Sequence, residues 1–384
     1  MSSSHRRIAS HLLLTPQGFV KRPLITVERE SRRIIAIEEW SEGLDMHPSV
    51  EFYAGIITAG FINAHAHIEL SYLRGAIAPG GGYAAFAAAM AAVRDKATDE
   101  ERRKAVEVAE REMWLEGVDG VADIVNDNFS LAAKQQSPIY FHSFAEVFGL
   151  RKSNIDHCRR LAQEGKHVSL TAHSTYSIQR ADLEAVCAES AEAPLSIHFM
   201  ESPDEALLYR GEGRLHDWYS QVGFECDFLD HGSPARRIAE CIPADRPLIL
   251  VHNCYITEED IDTILAKRTA PTYWVMCPRS NHYISGIEPR SVELLRRKGC
   301  RICIGTDSLA SNHSLSIIEE LKCFKDIPLE ELLRWATTNG AEALAMGDTL
   351  GEVAVGRCCG LVVISGVDFD TMTLTAKASA RRVL

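Results

Sequence analysis

Ala59-Gly60-Phe61-Ile62-Asn63-Ala64-His65-Ala66-His67-Ile68-Glu69-Leu70 is the stretch that decides how the chain reads. An apolar run leads into His-x-His. Side chains on a strand repeat every two residues, so His65 and His67 face the same way, near enough to share one metal ion. Three later stretches share this build, an apolar run ending in groups that bind metal or move protons. They are Ser196-Ile197-His198-Phe199-Met200-Glu201, Ile249-Leu250-Val251-His252-Asn253 and Ile302-Cys303-Ile304-Gly305-Thr306-Asp307-Ser308. Strand ends so far apart in sequence are gathered most simply by a barrel of parallel strands.

Eight strands can be read: 61–67, 118–124, 138–144, 168–173, 195–200, 248–253, 272–277 and 300–305. Between them, apolar periodicity predicts helices over 102–115, 154–163, 181–191, 258–266, 291–298 and 315–324, with further turns over 328–338 and 341–346. The expected fold is therefore α/β, a (β/α)8 TIM-like barrel over 56–352. Short strands at 8–14, 24–28, 33–38, 361–364 and 372–378 predict a small β-sandwich domain built from both termini, 1–55 and 353–384. Two connections on the expected active-site side are long. The first holds Gly80-Gly81-Gly82 and an Ala-rich run, 84–92, read as a packed helix with a mobile lid as the alternative. The second, 202–246, is expected to shape the substrate pocket.

With 384 residues, 46% hydrophobic and 24% charged, the chain has material for a sizeable core. Its net charge of −12 argues against a nucleic-acid partner. No uninterrupted apolar span reaches membrane length. The eleven cysteines are scattered, which suits a reducing cytoplasm. Cys300 and Cys303 sit three apart on a strand and face opposite sides, so they are read as packing residues. A small molecule is the expected partner, and a homodimer the candidate assembly.

His65, His67, His198 and Asp307 offer three nitrogens and a carboxylate, a set that suits one divalent ion, zinc first and ferrous iron second. Such an ion brings water's pKa to about 7, which makes a nucleophile at neutral pH. Asp307 could both touch the metal and hold the water's proton; the bland alternative is a helix cap. Glu201 is the candidate general acid and base, provided the strand ends at His198 and the loop carries Glu201 back over the mouth. His252 would polarise the attacked centre or steady the water, a core histidine being the alternative.

Taken together, these stretches resemble the amidohydrolase superfamily, in its deaminase branch. Ala172-His173-Ser174-Thr175-Tyr176-Ser177, Cys277-Pro278-Arg279-Ser280-Asn281 and Gly305 to Asn312 carry the likeness further, over essentially the whole chain. The resemblance implies a single metal on His65, His67, His198 and Asp307, catalysis by Glu201, His252 and Asp307, and a substrate contact from His173. It implies a hydrolytic deaminase of a 6-aminopurine nucleoside or related heterocycle, such as adenosine, aminodeoxyfutalosine, methylthioadenosine or S-adenosylhomocysteine. The alternative is a hydrolase of another ring, guanine or a triazine. Glu69 shares parity with the two histidines and is read either as a substrate contact or as a partner that orients a ligand histidine. His142 and Glu146, flanking the third strand's end, are read as structural. Arg357-Cys358-Cys359-Gly360-Leu361 departs from the Ala-Asp usual before the closing strand.

Overall fold

Apolar runs of five to eight residues can be buried on both faces only in a parallel sheet covered on each side, and the runs read above behave in that way. The computed structural model describes residues 4–40, 49–190 and 192–384. Residues 1–3 and 41–48 of the expected terminal domain, and the expected helix end at Ala191, lie outside them. Phe61–Ala66, Val118–Val125, Tyr140–Val147 and Val168–Ala172 pair in that order as one parallel sheet. Leu195–Phe199, Leu248–His252, Thr272–Met276 and Arg301–Ile304 form a second.

The two sheets share an interior: Ile62, Ile124 and Phe144 of the first lie in one buried cluster with Ile249, Val251 and Val275 of the second. Their edges also meet. At one seam His198 N–H donates to the His173 carbonyl at 2.9 Å; at the other, Thr306 and Asp307 N–H donate to the His65 carbonyl at 3.0 and 3.1 Å. Gly305 makes the second approach possible, because a Cβ there would stand 2.8 Å from the Cβ of His65 and 2.9 Å from Val275. Both seams thus end in the residues singled out for chemistry.

Helices cover the outside. Asp99–Glu116 starts in a capping box between Thr98 and Glu101, ends at Gly117 with φ 96°, and buries Val106, Ala109 and Met113 along one stripe. The Ala-rich run is helical over Gly82–Val93, and the packed reading holds for one side of it only: none of its residues is fully buried. Phe86, Ala89, Met90 and Val93 rest against Leu73, Ile77 and Ala310 at the surface. The second long connection is also largely helical, with Pro203–Tyr209, Gly213–Val222 and Pro234–Cys241.

The terminal strands form one mixed sheet, ordered Thr373–Arg382, Leu361–Asp368, Val50–Ala59, His5–Thr15, Pro23–Glu28, Ile34–Glu39, with Gly18–Lys21 paired onto His5–Thr15. Val50–Ala59 was not among the expected strands. Its apolar end runs through Gly60 straight into Phe61–Ala66, so no turn signal separates the two in the sequence. It crosses the expected boundary at 55 and ties the sheet to the strand that carries His65.

Candidate metal centre

The first pair of expected ligands meets in a different way from simple strand alternation. The strand stops at Ala66, and His67 opens a short turn over Ile68–Leu73 with φ −118° and ψ 76°. The two imidazoles nevertheless converge, with ring centres 4.9 Å apart. His67 Nε2 lies 3.2 Å from His198 Nε2 and 3.5 Å from Asp307 Oδ1, and His65 Nε2 lies 3.8 Å from the same oxygen.

Hydrogen bonds fix which atom of each group faces the centre. A carbonyl oxygen only accepts, so His198 Nδ1, 2.9 Å from the His173 carbonyl, carries the proton and leaves the Nε2 lone pair free. His252 Nδ1 donates in the same way to Asn281 Oδ1 at 2.9 Å. Asp307 Oδ2 accepts from Ser280 Oγ at 2.5 Å and Ser311 Oγ at 2.8 Å, which turns Oδ1 to the histidines. Ser177 Oγ accepts from Ser174 N–H at 3.2 Å and Ser174 Oγ–H at 2.8 Å, so its own proton is left for His173 Nδ1 at 3.0 Å. His173 therefore carries its proton on Nε2.

The electrostatics point the same way. Burial pushes His65, His67, His198 and His252 below the ordinary histidine value, and His173 down to about 4, so these imidazoles are neutral. Burial also pushes Asp307 upward, but His67, His252 and the hydroxyls of Ser280 and Ser311 together hold it below the usual carboxylate value. Glu201 goes the other way: burial raises it to about 8, with Asp307 and Glu146 adding to the rise and His198 opposing it. Its Oε1 stands 3.8 Å from His252 Nε2.

Do these residues fit a metal ion? Both ring nitrogens of buried His65 lack any hydrogen-bond partner, an arrangement that is costly unless something else occupies the lone pair. Four ligand atoms at zinc's usual bond lengths stand about 3.3 Å from one another, and the separations of 3.2, 3.5 and 3.8 Å are of that size. His65, His67 and Asp307 form one group of converging ligand atoms, and His65, His198 and His252 another. The donor set fits a divalent ion.

The backbone at the strand ends is unusual. Met200 (φ 51°), His252 (φ 77°), Asn253 (φ 57°) and Asp307 (φ 57°) are non-glycine residues in the left-handed region. Such residues cost of order 1–3 kcal/mol each and cluster at functional sites. At Met200 the twist swings Glu201 off the strand direction, and Glu205 holds the turn by accepting from Met200 N–H at 2.6 Å and Thr175 Oγ1 at 2.5 Å.

The structure thus brings together His65, His67, His198, Glu201, His252 and Asp307, with the His173 ring 4.9 Å from that of His198. It gives Glu69 another task. Glu69 Oε2 accepts from the N–H groups of Asn126 and Asp127 at 2.9 and 3.2 Å, and Oε1 from Ser130 Oγ at 2.7 Å. It orders the loop after the second strand; no histidine nitrogen is among these partners, which corrects the reading that Glu69 orients a ligand. His142 is half-buried, with its ring against Phe144 and bonded to Ser169 Oγ at 2.9 Å, as a structural residue would be. Glu146 belongs to the site instead, its Oε1 3.4 Å from His198 Nδ1. Ser280, Asn281 and Ser311 were not singled out, although all three sit in stretches that carried the resemblance. Tyr83, on the Gly82–Val93 helix, meets Tyr176 hydroxyl to hydroxyl at 3.1 Å.

The model of the amidohydrolase family matches residues 56–381. An adenosine deaminase of Helicobacter pylori is 26% identical over 339 residues, 83% of this chain and 81% of that one. An aminodeoxyfutalosine deaminase of Nitratiruptor sp. is 24% identical over 377 residues, 92% and 89% of the two chains. The crystal structure of Helicobacter pylori aminofutalosine deaminase with methylthio-coformycin has the same fold, with TM-score 0.78 and 24% identity over 94% of this chain and 92% of that one.

Proposed function

The chain belongs to the amidohydrolase family, and from that premise we propose that it is a metal-dependent deaminase of an adenosine-type nucleoside, releasing ammonia. The observation that carries this reading is the ring of neutral histidines and Asp307 facing a largely buried Glu201 that holds its proton near neutrality. Relatives named for adenosine and aminodeoxyfutalosine support the adenosine-type ring over guanine or a triazine. The reading includes closure of the two parallel sheets into a (β/α)8 barrel, a small β-domain built from both termini, zinc as the ion, and a cytoplasmic setting that suits eleven free thiols.

His65, His67, His198 and Asp307 would hold the ion, which supplies positive charge that lowers a neighbouring water's pKa toward about 7. His252, with its proton fixed on Nδ1 by Asn281, offers the Nε2 lone pair and so steadies that water by accepting from it. Asp307 Oδ1 takes one proton. Glu201, protonated at rest, gives its proton to the ring nitrogen beside the amino-bearing carbon, then takes the proton of the hydroxyl added to that carbon and hands it to the departing amine; the proton held by Asp307 returns last to Glu201. Across the cycle, water and the amine become the oxo product and ammonia. His173 presents its Nε2–H to an acceptor on the substrate.

The test is a panel of adenosine, methylthioadenosine, adenosylhomocysteine and aminodeoxyfutalosine with the zinc-loaded protein, following loss of adenine absorbance and ammonia release. Turnover of at least one is expected. No turnover of any, by protein shown to hold one zinc per chain, overturns the adenosine-type reading.

A further inference from the structure

One buried oxygen at the site has no assigned work. Glu146 ends the third strand and is only 4% exposed, and its Oε1 has no hydrogen-bond partner. Buried carboxylate oxygens are seldom left unpaired, because the desolvated acceptor is costly. That oxygen lies 3.4 Å from His198 Nδ1, on the side of the imidazole away from the metal-facing Nε2. The Nδ1 proton goes to the His173 carbonyl at 2.9 Å, and the Glu146 oxygen stands beside that bond as its charged neighbour.

The other half of Glu146 is anchored. Its Oε2 accepts from Asn126 Nδ2 at 3.3 Å, and the Asn126 backbone N–H is held in turn by Glu69 at 2.9 Å. His157 Nε2 caps the Asn126 carbonyl at 2.9 Å, so the asparagine is fixed from both sides.

Resting on the metal reading above, we propose that Glu146 is a positioning residue for the metal, acting through His198. It steadies the Nδ1 proton by its charge, fixes the ring's orientation and makes Nε2 a stronger donor. Asn126 and Glu69 hold Glu146 in that place. A carboxylate behind a ligand histidine typically contributes ten- to hundredfold in metal affinity.

The test measures zinc affinity of the full chain directly, by competition with a chromophoric chelator after stripping, so no turnover is needed. Glu146→Gln should bind zinc about 10–100 times more weakly than the wild type. Glu146→Asp should recover part of the loss, and Asn126→Ala should give a smaller loss in the same direction. Melting of the stripped proteins, run alongside, separates affinity from folding; the Asp and Asn126 variants carry the test if Gln does not fold. Unchanged zinc affinity in folded variants, with only KM raised, overturns the proposal and makes Glu146 a substrate contact. A wild type that binds no divalent ion overturns the metal reading beneath it.

Discussion

Two buried sets of charge, at opposite ends of the strands, are balanced in different ways. Beneath the strands, where the terminal sheet meets them, Asp119 is paired with Arg382 at 2.7 Å and accepts from Gly360 N–H at 2.8 Å, while the guanidinium lies 3.5 Å over the Trp114 ring. At the mouth, the ion-pair neighbours of Asp307, Glu146 and Glu201 are histidines, and burial keeps those histidines neutral. The lower set carries its own cation. The upper set places the Asp307 carboxylate beside unpaired ring nitrogens with no cation from the chain among these neighbours, which is what a site built around an external ion requires.

Removing the anion at the mouth should have the largest effect. Asp307→Ala is expected to lose bound zinc and abolish turnover, read by metal analysis and ammonia release; full zinc content would break the contrast drawn here. Glu201→Gln is expected to keep the metal yet lower kcat by about 10²–10⁴, the usual contribution of a positioned acid-base group. Near-normal ammonia release from that variant would reject the role of Glu201.

At the lower set the expected effect moves from turnover to stability. Burial pushes the Asp119 carboxyl upward more than Arg382 and Gly360 pull it back, so the pair is not a net source of stability, but splitting it leaves a buried acid unmatched. Arg382→Met should cost about 3–5 kcal/mol, measured by denaturant unfolding. Turnover by the folded fraction should be unchanged; a parallel fall in kcat would show that the two ends are not independent.

The upper set was the more legible in the sequence, and the reason is physical. His65, His67, His198, His252 and Asp307 each end an apolar run, so the burial pattern that makes the strand also marks its end. Asp119 and Arg382 lie 263 positions apart, and nothing local records their contact. The same limit hid Asn281 behind His252 and Ser280 behind Asp307, since a side chain that only orients another leaves no periodic trace. Glu69 misled because strand parity was carried past Ala66, where the chain has already turned into Ile68–Leu73. Val50–Ala59 was hidden because two strands share one apolar run, divided only by Gly60.

The smallest expected effect tests whether the mouth's excess acid is a stability cost when no metal is present. Burial raises Glu205 from 4.5 to about 8, against the pull of Thr175 and the Met200 N–H. An unfolded chain gives up this proton near 4.5, while the folded chain keeps it to about 8. Between those values the folded state binds more protons, so its stability falls as pH rises, and the loss is complete above the folded value. In Glu205→Gln the Oε1 oxygen still accepts from Met200 N–H, and the Thr175 hydroxyl rotates to accept from the amide. Melting of the metal-free proteins from pH 5 to 8 should therefore fall less steeply for the variant than for the wild type. Their difference should be smallest at pH 5 and level off above 8. Parallel curves would show that another group sets the slope, and the contrast between the two ends would then rest on the histidines and Asp307 alone.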